Sequence, residues 1–392
     1  MTMPLKGIRV LDLSRLLPGP FCSMILADMG AEVLKIEDTD RGDYMRQTGT
    51  INKKESMYFL SLNRNKKSMK LNLKSEYGKE IFNKLVQQYD VILEQFRPGV
   101  MERLGLGYDD LKKINPKIIY CSLTGYGQYG PYRDMAGHDI NYLSITGVLD
   151  SIGIRNGPPV IPGIQFADIA GGSLWAAIGI LIAIVGRDRT GIGQFLDVAM
   201  SDGVLPFHSL FGASYFVNGQ VPRRGETRQS GLYAFYNIYE TKDGLYVSLG
   251  ASESKFWSGF CTAIGRPDLS SEQHAPEPRQ SEIINEVQRI IKTKTQAEWI
   301  ESLKTMDICF TPVKNIGEAL ADPHVQSRKM VVEMDHPVEG KISTLAFPVK
   351  FSQTPARVSS PPPLYGEHTL DILKMLGYDD EQIKELQKFK VI

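Results

Sequence analysis

The first 37 residues pass from strand to helix to strand, and that succession limits the fold more than any other feature of the chain. Gly7-Ile8-Arg9-Val10-Leu11-Asp12-Leu13 reads as a short buried strand. Pro18-Gly19-Pro20 opens a helix through Met24, Ile25, Leu26 and Met29, and Gly30 stops it. Glu32-Val33-Leu34-Lys35-Ile36-Glu37 is a second strand. Strands joined by a helical crossover run parallel. The rhythm continues: Ser75 is placed to cap a helix with Ile81, Phe82, Leu85 and Val86 on one face, and residues 91–94 and 118–122 are strands flanking a helix around 108–114. This predicts an α/β domain with a mainly parallel sheet.

Asp168 stands where an N-cap belongs, immediately before a long apolar helix. Residues 194–200 read as another strand and 201–219 as a mixed apolar helix. Composition changes at Pro222-Arg223-Arg224-Gly225, which marks a boundary. Beyond it, residues 235–241 and 245–249 flank Lys242-Asp243-Gly244, a β-hairpin signature. Helices are expected near 254–264, 281–292 and 296–306, the last opened by the capping box Thr295-Gln296-Ala297-Glu298. Strands return over 329–351, a proline-rich linker covers 355–363, and a helical tail follows. The division expected is a large α/β domain with linkers from residues 1–220 and 329–392, and a smaller α+β domain over 221–328. Leu106-Gly107-Tyr108-Asp109-Asp110 recurs as Leu376-Gly377-Tyr378-Asp379-Asp380, read as two helix starts with Asp caps.

Forty-five basic and 45 acidic residues cancel, so no global field draws the chain to nucleic acid or an anionic membrane. Four cysteines without CxxC spacing fit a reduced, cytoplasmic protein with buried thiols, and no ligand cluster for a metal is apparent. No apolar run follows the charge at the N-terminus, so no signal peptide is expected. Residues 169–186 carry no charge, but glycines dilute them, and a helix buried in a globular core is the reading, not a membrane span.

Gly125-Tyr126-Gly127-Gln128-Tyr129-Gly130 matches GxGxxG after a strand. Pro131 follows directly and no amphipathic helix opens there, so the match fails as a dinucleotide fingerprint. A basic cluster, Arg64, Lys66, Lys67, Lys70 and Lys74, with Arg97 and Arg103 later, could hold an anionic ligand with several phosphates; a solvated face is the ordinary alternative. Ala136-Gly137-His138-Asp139-Ile140-Asn141-Tyr142 joins an imidazole, an adjacent acid and a glycine. Taken alone, such a histidine is more often a structural hydrogen-bonder and Asp168 a helix cap. Together they are a candidate acid/base pair across a substrate carbon.

Several stretches resemble the class III CoA-transferase family. They are the segment from Pro18-Gly19-Pro20-Phe21-Cys22 to Gly30-Ala31-Glu32-Val33, Leu60-Ser61-Leu62-Asn63-Arg64-Asn65-Lys66-Lys67-Ser68, Arg97-Pro98-Gly99-Val100-Met101-Glu102-Arg103, and Gly366-Glu367-His368-Thr369. Gly137-His138-Asp139-Ile140-Asn141-Tyr142 and Gly250-Ala251-Ser252-Glu253 are most similar to the alpha-methylacyl-CoA racemase branch, whereas Lys35–Glu37 with Gly42-Asp43-Tyr44-Met45-Arg46 looks more like the transferases. The resemblance implies a large Rossmann-like domain built from both chain ends, a small α+β domain between them, and an interlocked homodimer acting on an acyl-CoA thioester. No cofactor is implied beyond the CoA moiety of the substrate. The CoA positions carried over are Leu71, Asn72, Leu73, Lys74, Gln95, Phe96, Arg97, Arg103, Gly137 and Tyr142.

For the racemase branch it implies that His138 and Asp168 pass the α-proton through an enolate, with the backbone N–H of Asp139 at the enolate oxygen and Glu253 of the partner subunit orienting the imidazole. The alternative is a CoA-transferase in which Asp168 is the nucleophile and forms an aspartyl-CoA thioester.

Overall fold

The computed structural model describes residues 2–392. They divide into two compact units: one runs to Thr146 and adds Gly163–Pro206 and Pro323–Ile392, and the other comprises Gly147–Pro162 and Phe207–Asp322.

In the first unit, β1 (Arg9–Asp12), β2 (Glu32–Glu37), β3 (Lys66–Lys70), β4 (Val91–Glu94), β5 (Ile119–Thr124) and β6 (Phe195–Ala199) form one sheet in the order β3-β2-β1-β4-β5-β6. Every neighbouring pair is parallel. Strands covered on both faces need continuous rather than alternating apolar sequence. Val91-Ile92-Leu93 in β4 and the fully buried β5 meet that demand. The helix Pro18–Asp28 starts on proline, which loses nothing at a first turn whose N–H groups have no helical partner. The helix Glu76–Val86 follows Ser75 and buries Ile81, Phe82, Leu85 and Val86, the face expected from sequence. That face joins a core with Leu34, Met69 and Ile92, which also receives Ile372, Leu373, Ile383, Leu386 and Val391 from the tail. The carbonyl of Val391 accepts the backbone N–H of Asn72 at 2.8 Å.

The second unit is built on an antiparallel sheet of β7 (Tyr236–Glu240), β8 (Tyr246–Gly250) and β9 (Phe310–Pro312). Its core packs Phe235, Trp257, Phe260, Trp299 and Phe310. The capping box at Thr295 and Glu298 is formed. Back in the first unit, β10 (Val331–His336) and β11 (Gly340–Leu345) make a separate hairpin.

Three expectations change. Residues 201–219 are not one helix: Met200–Val204 is followed by a 3-10 turn, Leu205–His208, and then Ser209–Asn218. Pro206 cannot continue a helix, because it lacks an N–H and clashes with the preceding turn. Asp379 caps Asp380–Lys388 as read, but at the first copy of that motif the cap is Gly107, and Asp109 and Asp110 lie in the first turn. The apolar segment is half-covered rather than buried. The helix Leu174–Thr190 buries Ala176, Ala177, Ile180, Ala183 and Ile184 and leaves Ile178, Ile182 and Val185 exposed. Three alanines on the inner face let the helix lie close to its neighbours, while isoleucines fall on both faces.

Candidate active site

His138 is the N-cap of the helix Asp139–Ile145, and its backbone N–H is donated to Asn141 Oδ1 at 3.0 Å. Its imidazole is exposed. The next residue reaches across to the other half of the pair: Asp139 Oδ1 accepts the backbone N–H of Asp168 at 2.9 Å. One hydrogen bond therefore ties the head of the His138 helix to the turn that bears Asp168.

Asp168 is not the N-cap expected from sequence. It lies one residue inside a π-helical turn, Ala167–Ser173, that leads into Leu174–Thr190. The wider turn is a device often found at functional sites. Here Ser173 returns its hydroxyl to the Asp168 carbonyl at 3.0 Å and to the Pro18 carbonyl at 2.7 Å. Gly171 is needed because a Cβ there would meet the Met200 carbonyl at 2.6 Å. Burial, and then the charge of Asp139, pushes the Asp168 carboxyl up to about 7. Burial also raises Asp139, against the pull of the Asp168 and Ala167 backbone N–H groups.

Tyr142 locks the loop. Its hydroxyl donates to the Gly137 carbonyl at 2.6 Å and its ring stands edge-on to Tyr126 at 5.1 Å. A Cβ on Gly125 would come within 2.4 Å of that ring, and one on Gly137 within 2.7 Å. These glycines of the GxGxxG stretch and the His138 motif serve the close packing of a tyrosine. After Gly130 the chain continues as irregular backbone to His138, with no helix opening behind the glycines.

A cleft of about 640 Å³ lies outside the carboxyl ends of β1, β2 and β3. The strand order reverses between β1 and β4, and open parallel sheets bind ligands at the carboxyl ends beside such a point. Leu71, Asn72, Leu73, Lys74 and Phe96, among the positions carried over for CoA, line the cleft. Gln95 accepts the backbone N–H of Gly19 at 3.1 Å and so fixes the start of the helix Pro18–Asp28. Arg97 and Arg103 are exposed and have no carboxylate partner among the described residues.

Arg15 was not singled out from sequence. Its guanidinium lies 5.0 Å from the Tyr44 ring and 5.1 Å from the Phe96 ring, across the cleft. Leu16 beside it has φ +64°, unusual for a branched side chain, and its N–H is held by Asp43 Oδ1 at 3.0 Å. Asp43 is itself paired with buried Lys35 at 2.8 Å. The available signal was position: Arg15 follows the first strand at the switch point.

The basic cluster does not act as one surface. Arg64 is buried against Asp28 at 2.6 Å, and Lys66 is buried between Asp12 at 3.3 Å and Asn63 at 2.9 Å. Burial brings Lys66 down to about 8, with Asp12 opposing. Neither cation can reach a phosphate, because both are already used as counter-charges under the sheet. Lys67 is half-exposed and pairs with Glu32 at 3.2 Å. Of the cluster's lysines, Lys74 is the one on the cleft wall.

Glu253 belongs to the second unit, as the exposed N-cap of Ser254–Ala263. Its carbonyl accepts the N–H groups of Phe256 and Trp257.

The model of CoA-transferase family III matches residues 5–369. Human succinyl-CoA:glutarate CoA-transferase is 35% identical, over 99% of this chain and 90% of its own. Human alpha-methylacyl-CoA racemase is 36% identical, over 100% of this chain and 98% of its own. The crystal structure of a CAIB/BAIF family protein from Brucella suis superposes with a TM-score of 0.84 at 29% identity, covering 96% of this chain and all of that one.

Proposed function

This chain belongs to CoA-transferase family III, a family of enzymes, and from that premise we propose that it racemises or epimerises 2-methylacyl-CoA thioesters by two-base proton transfer. The observation that carries the reading is the hydrogen bond from the Asp168 N–H to Asp139, which puts an imidazole-bearing helix and a carboxyl-bearing turn side by side. A transferase needs the aspartate but not the imidazole.

In this mechanism the thioester carbonyl acidifies the α-hydrogen. His138 or Asp168 removes it from one face, and the other donates a proton to the opposite face of the planar enolate. Each must serve as acid for one enantiomer and base for the other. A carboxyl pushed up to about 7 has both forms accessible near neutrality. The enolate oxygen is assigned to the backbone N–H of Asp139, the first residue of its helix, which has no carbonyl of its own helix to bond. Leu71, Asn72, Leu73, Lys74, Gln95, Phe96, Arg97 and Arg103 are assigned to the CoA moiety, Gly137 and Tyr142 to the loop at its reactive end, and Arg15 is added to them. The reaction calls for no cofactor beyond that CoA.

Glu253 of the partner subunit is assigned to orient the imidazole, so a homodimer is part of the reading. The bare apolar face of Leu174–Thr190 supports it, since Ile178, Ile182 and Val185 gain from being covered by a second copy. Three buried free thiols, Cys22, Cys121 and Cys261, fit a reducing cytoplasm.

The second reading is a CoA-transferase, favoured by relatives such as the beta subunit of succinyl-CoA–L-malate CoA-transferase of Chloroflexus aurantiacus, 35% identical over the whole chain. There the Asp168 carboxylate attacks the thioester carbonyl and expels CoA thiolate. The thiolate then attacks the aspartyl carbonyl of the mixed anhydride and releases the acid.

The deciding experiment is incubation with a 2-methylacyl-CoA in heavy water. Deuterium at C2 without acyl exchange supports the racemase. A covalent adduct on Asp168 trapped by hydroxylamine, with no label at C2, overturns it in favour of the transferase.

A further inference from the structure

The carboxylate of Glu94 has no part in the proton transfer proposed above, yet it sits where the cleft wall and the His138 loop are joined. It ends β4 and is 4% exposed. One oxygen, Oε2, accepts the backbone N–H of Phe96 at 2.8 Å, and the Phe96 ring faces Arg15 across the cleft. The other, Oε1, accepts the hydroxyl of Ser122 on the neighbouring strand. Ser122 Oγ in turn accepts the side-chain amide of Gln128 at 2.7 Å. Gln128 belongs to the glycine loop, where its backbone N–H is held by Asp197 on β6 at 3.0 Å and its carbonyl accepts Arg133 Nε at 2.9 Å. Two residues earlier, Tyr126 stands against Tyr142, which bonds the carbonyl preceding His138.

Among the described residues no cation is paired with Glu94, and burial pushes its carboxyl up to about 7. A carboxylate buried without a counter-ion costs stability that a neutral side chain of the same size would not. Its two oxygens instead serve two donors on different parts of the site.

We propose that Glu94 is a positioning residue that couples the CoA cleft to the His138 loop, holding Phe96 with one oxygen and Gln128, through Ser122, with the other. The proposal rests on reading the cleft as the CoA site; it is independent of whether the reaction is proton exchange or CoA transfer.

The test uses Glu94→Gln, Ser122→Ala and the double variant in the full-length protein, with CoA affinity read by calorimetry and kcat taken from whichever thioester reaction the wild type performs. Glu94→Gln keeps the volume but places a donor where one acceptor stood, so CoA affinity falls about fivefold and kcat about tenfold. Ser122→Ala leaves the Phe96 bond intact, so kcat falls about tenfold while CoA affinity stays within about twofold. The double variant loses no more kcat than Glu94→Gln alone, because both changes cut one path. A purely structural role would lower the fraction of CoA-binding sites and leave kcat per site unchanged. Wild-type kcat in Ser122→Ala, or wild-type affinity in Glu94→Gln, overturns the proposal. Failure of the wild type to bind CoA defeats the reading of the cleft, and the proposal with it.

Discussion

Asp139 and Asp168, 29 positions apart, are joined by a hydrogen bond in which the carboxylate of the first accepts the backbone N–H of the second. The acid beside His138 thus has a structural task, and its charge has an electrostatic one, since it raises the Asp168 pKa. Asp139→Asn keeps an acceptor and removes the charge. The limb of the pH–rate profile that belongs to Asp168 then moves to lower pH, as read from α-proton exchange across pH 5–9. Asp139→Ala also strands the N–H and destabilises the fold by about 1–3 kcal/mol in urea titration.

Asp168 makes stability depend on pH in a definite direction. Its folded-state value, about 7, lies above the ordinary 3.8, so the folded protein keeps this proton where the unfolded chain gives it up. The contribution is fully present below 3.8 and is lost as pH rises through about 7. Asp168→Asn, which never ionises, is therefore more stabilising relative to wild type at pH 8 than at pH 5, by on the order of 2 kcal/mol. Denaturation at the two pH values checks this, and an equal effect at both would contradict it.

The glycines that pack on Tyr142 give a steric prediction. Gly125→Ala places a methyl 2.4 Å from the Tyr142 ring, and the ring must move. Overpacking of this kind costs about 1–3 kcal/mol. Because Tyr142 holds the Gly137 carbonyl, turnover falls as well. Gly130→Ala is the matched control, with nothing within 4 Å of the new methyl, although its positive φ carries some strain.

Two arginines should separate binding from folding. Arg64→Ala leaves Asp28 buried without its partner, and losing one member of such a pair costs about 3–5 kcal/mol. Arg15→Ala removes the guanidinium between Tyr44 and Phe96 with little effect on the fold, and weakens CoA about tenfold by calorimetry. The opposite pattern would restore the reading of Arg64 as a phosphate ligand.

The parallel sheet was legible because its strands are buried on both faces, which leaves continuous apolar runs such as Val91-Ile92-Leu93. The edge strand Lys66-Lys67-Ser68-Met69-Lys70 was not. Beside the apolar Met69 it buries Lys66 against Asp12 and Ser68 against Glu37, so part of what looks like a solvated face from sequence is an interior ion pair and hydrogen bond. The break at Pro206 was signalled by the proline and overlooked among apolar neighbours. At the candidate site, the His138 and Asp168 motifs could be read locally. Arg15 faces rings 29 and 81 positions away (44 − 15 and 96 − 15), and Glu94 accepts from Ser122, 28 positions away (122 − 94); a linear pattern holds no trace of these partners.

The bond between Asn72 and Val391 has a bearing on how the protein comes into being. A chain leaving the ribosome presents the residues of β1 to β5 early, and they can begin to pair at once. The cleft wall at Asn72, however, lacks its prop until position 391 has emerged, 319 residues later (391 − 72). Nascent protein halted short of that point should carry much of its sheet and still be unable to grip a thioester.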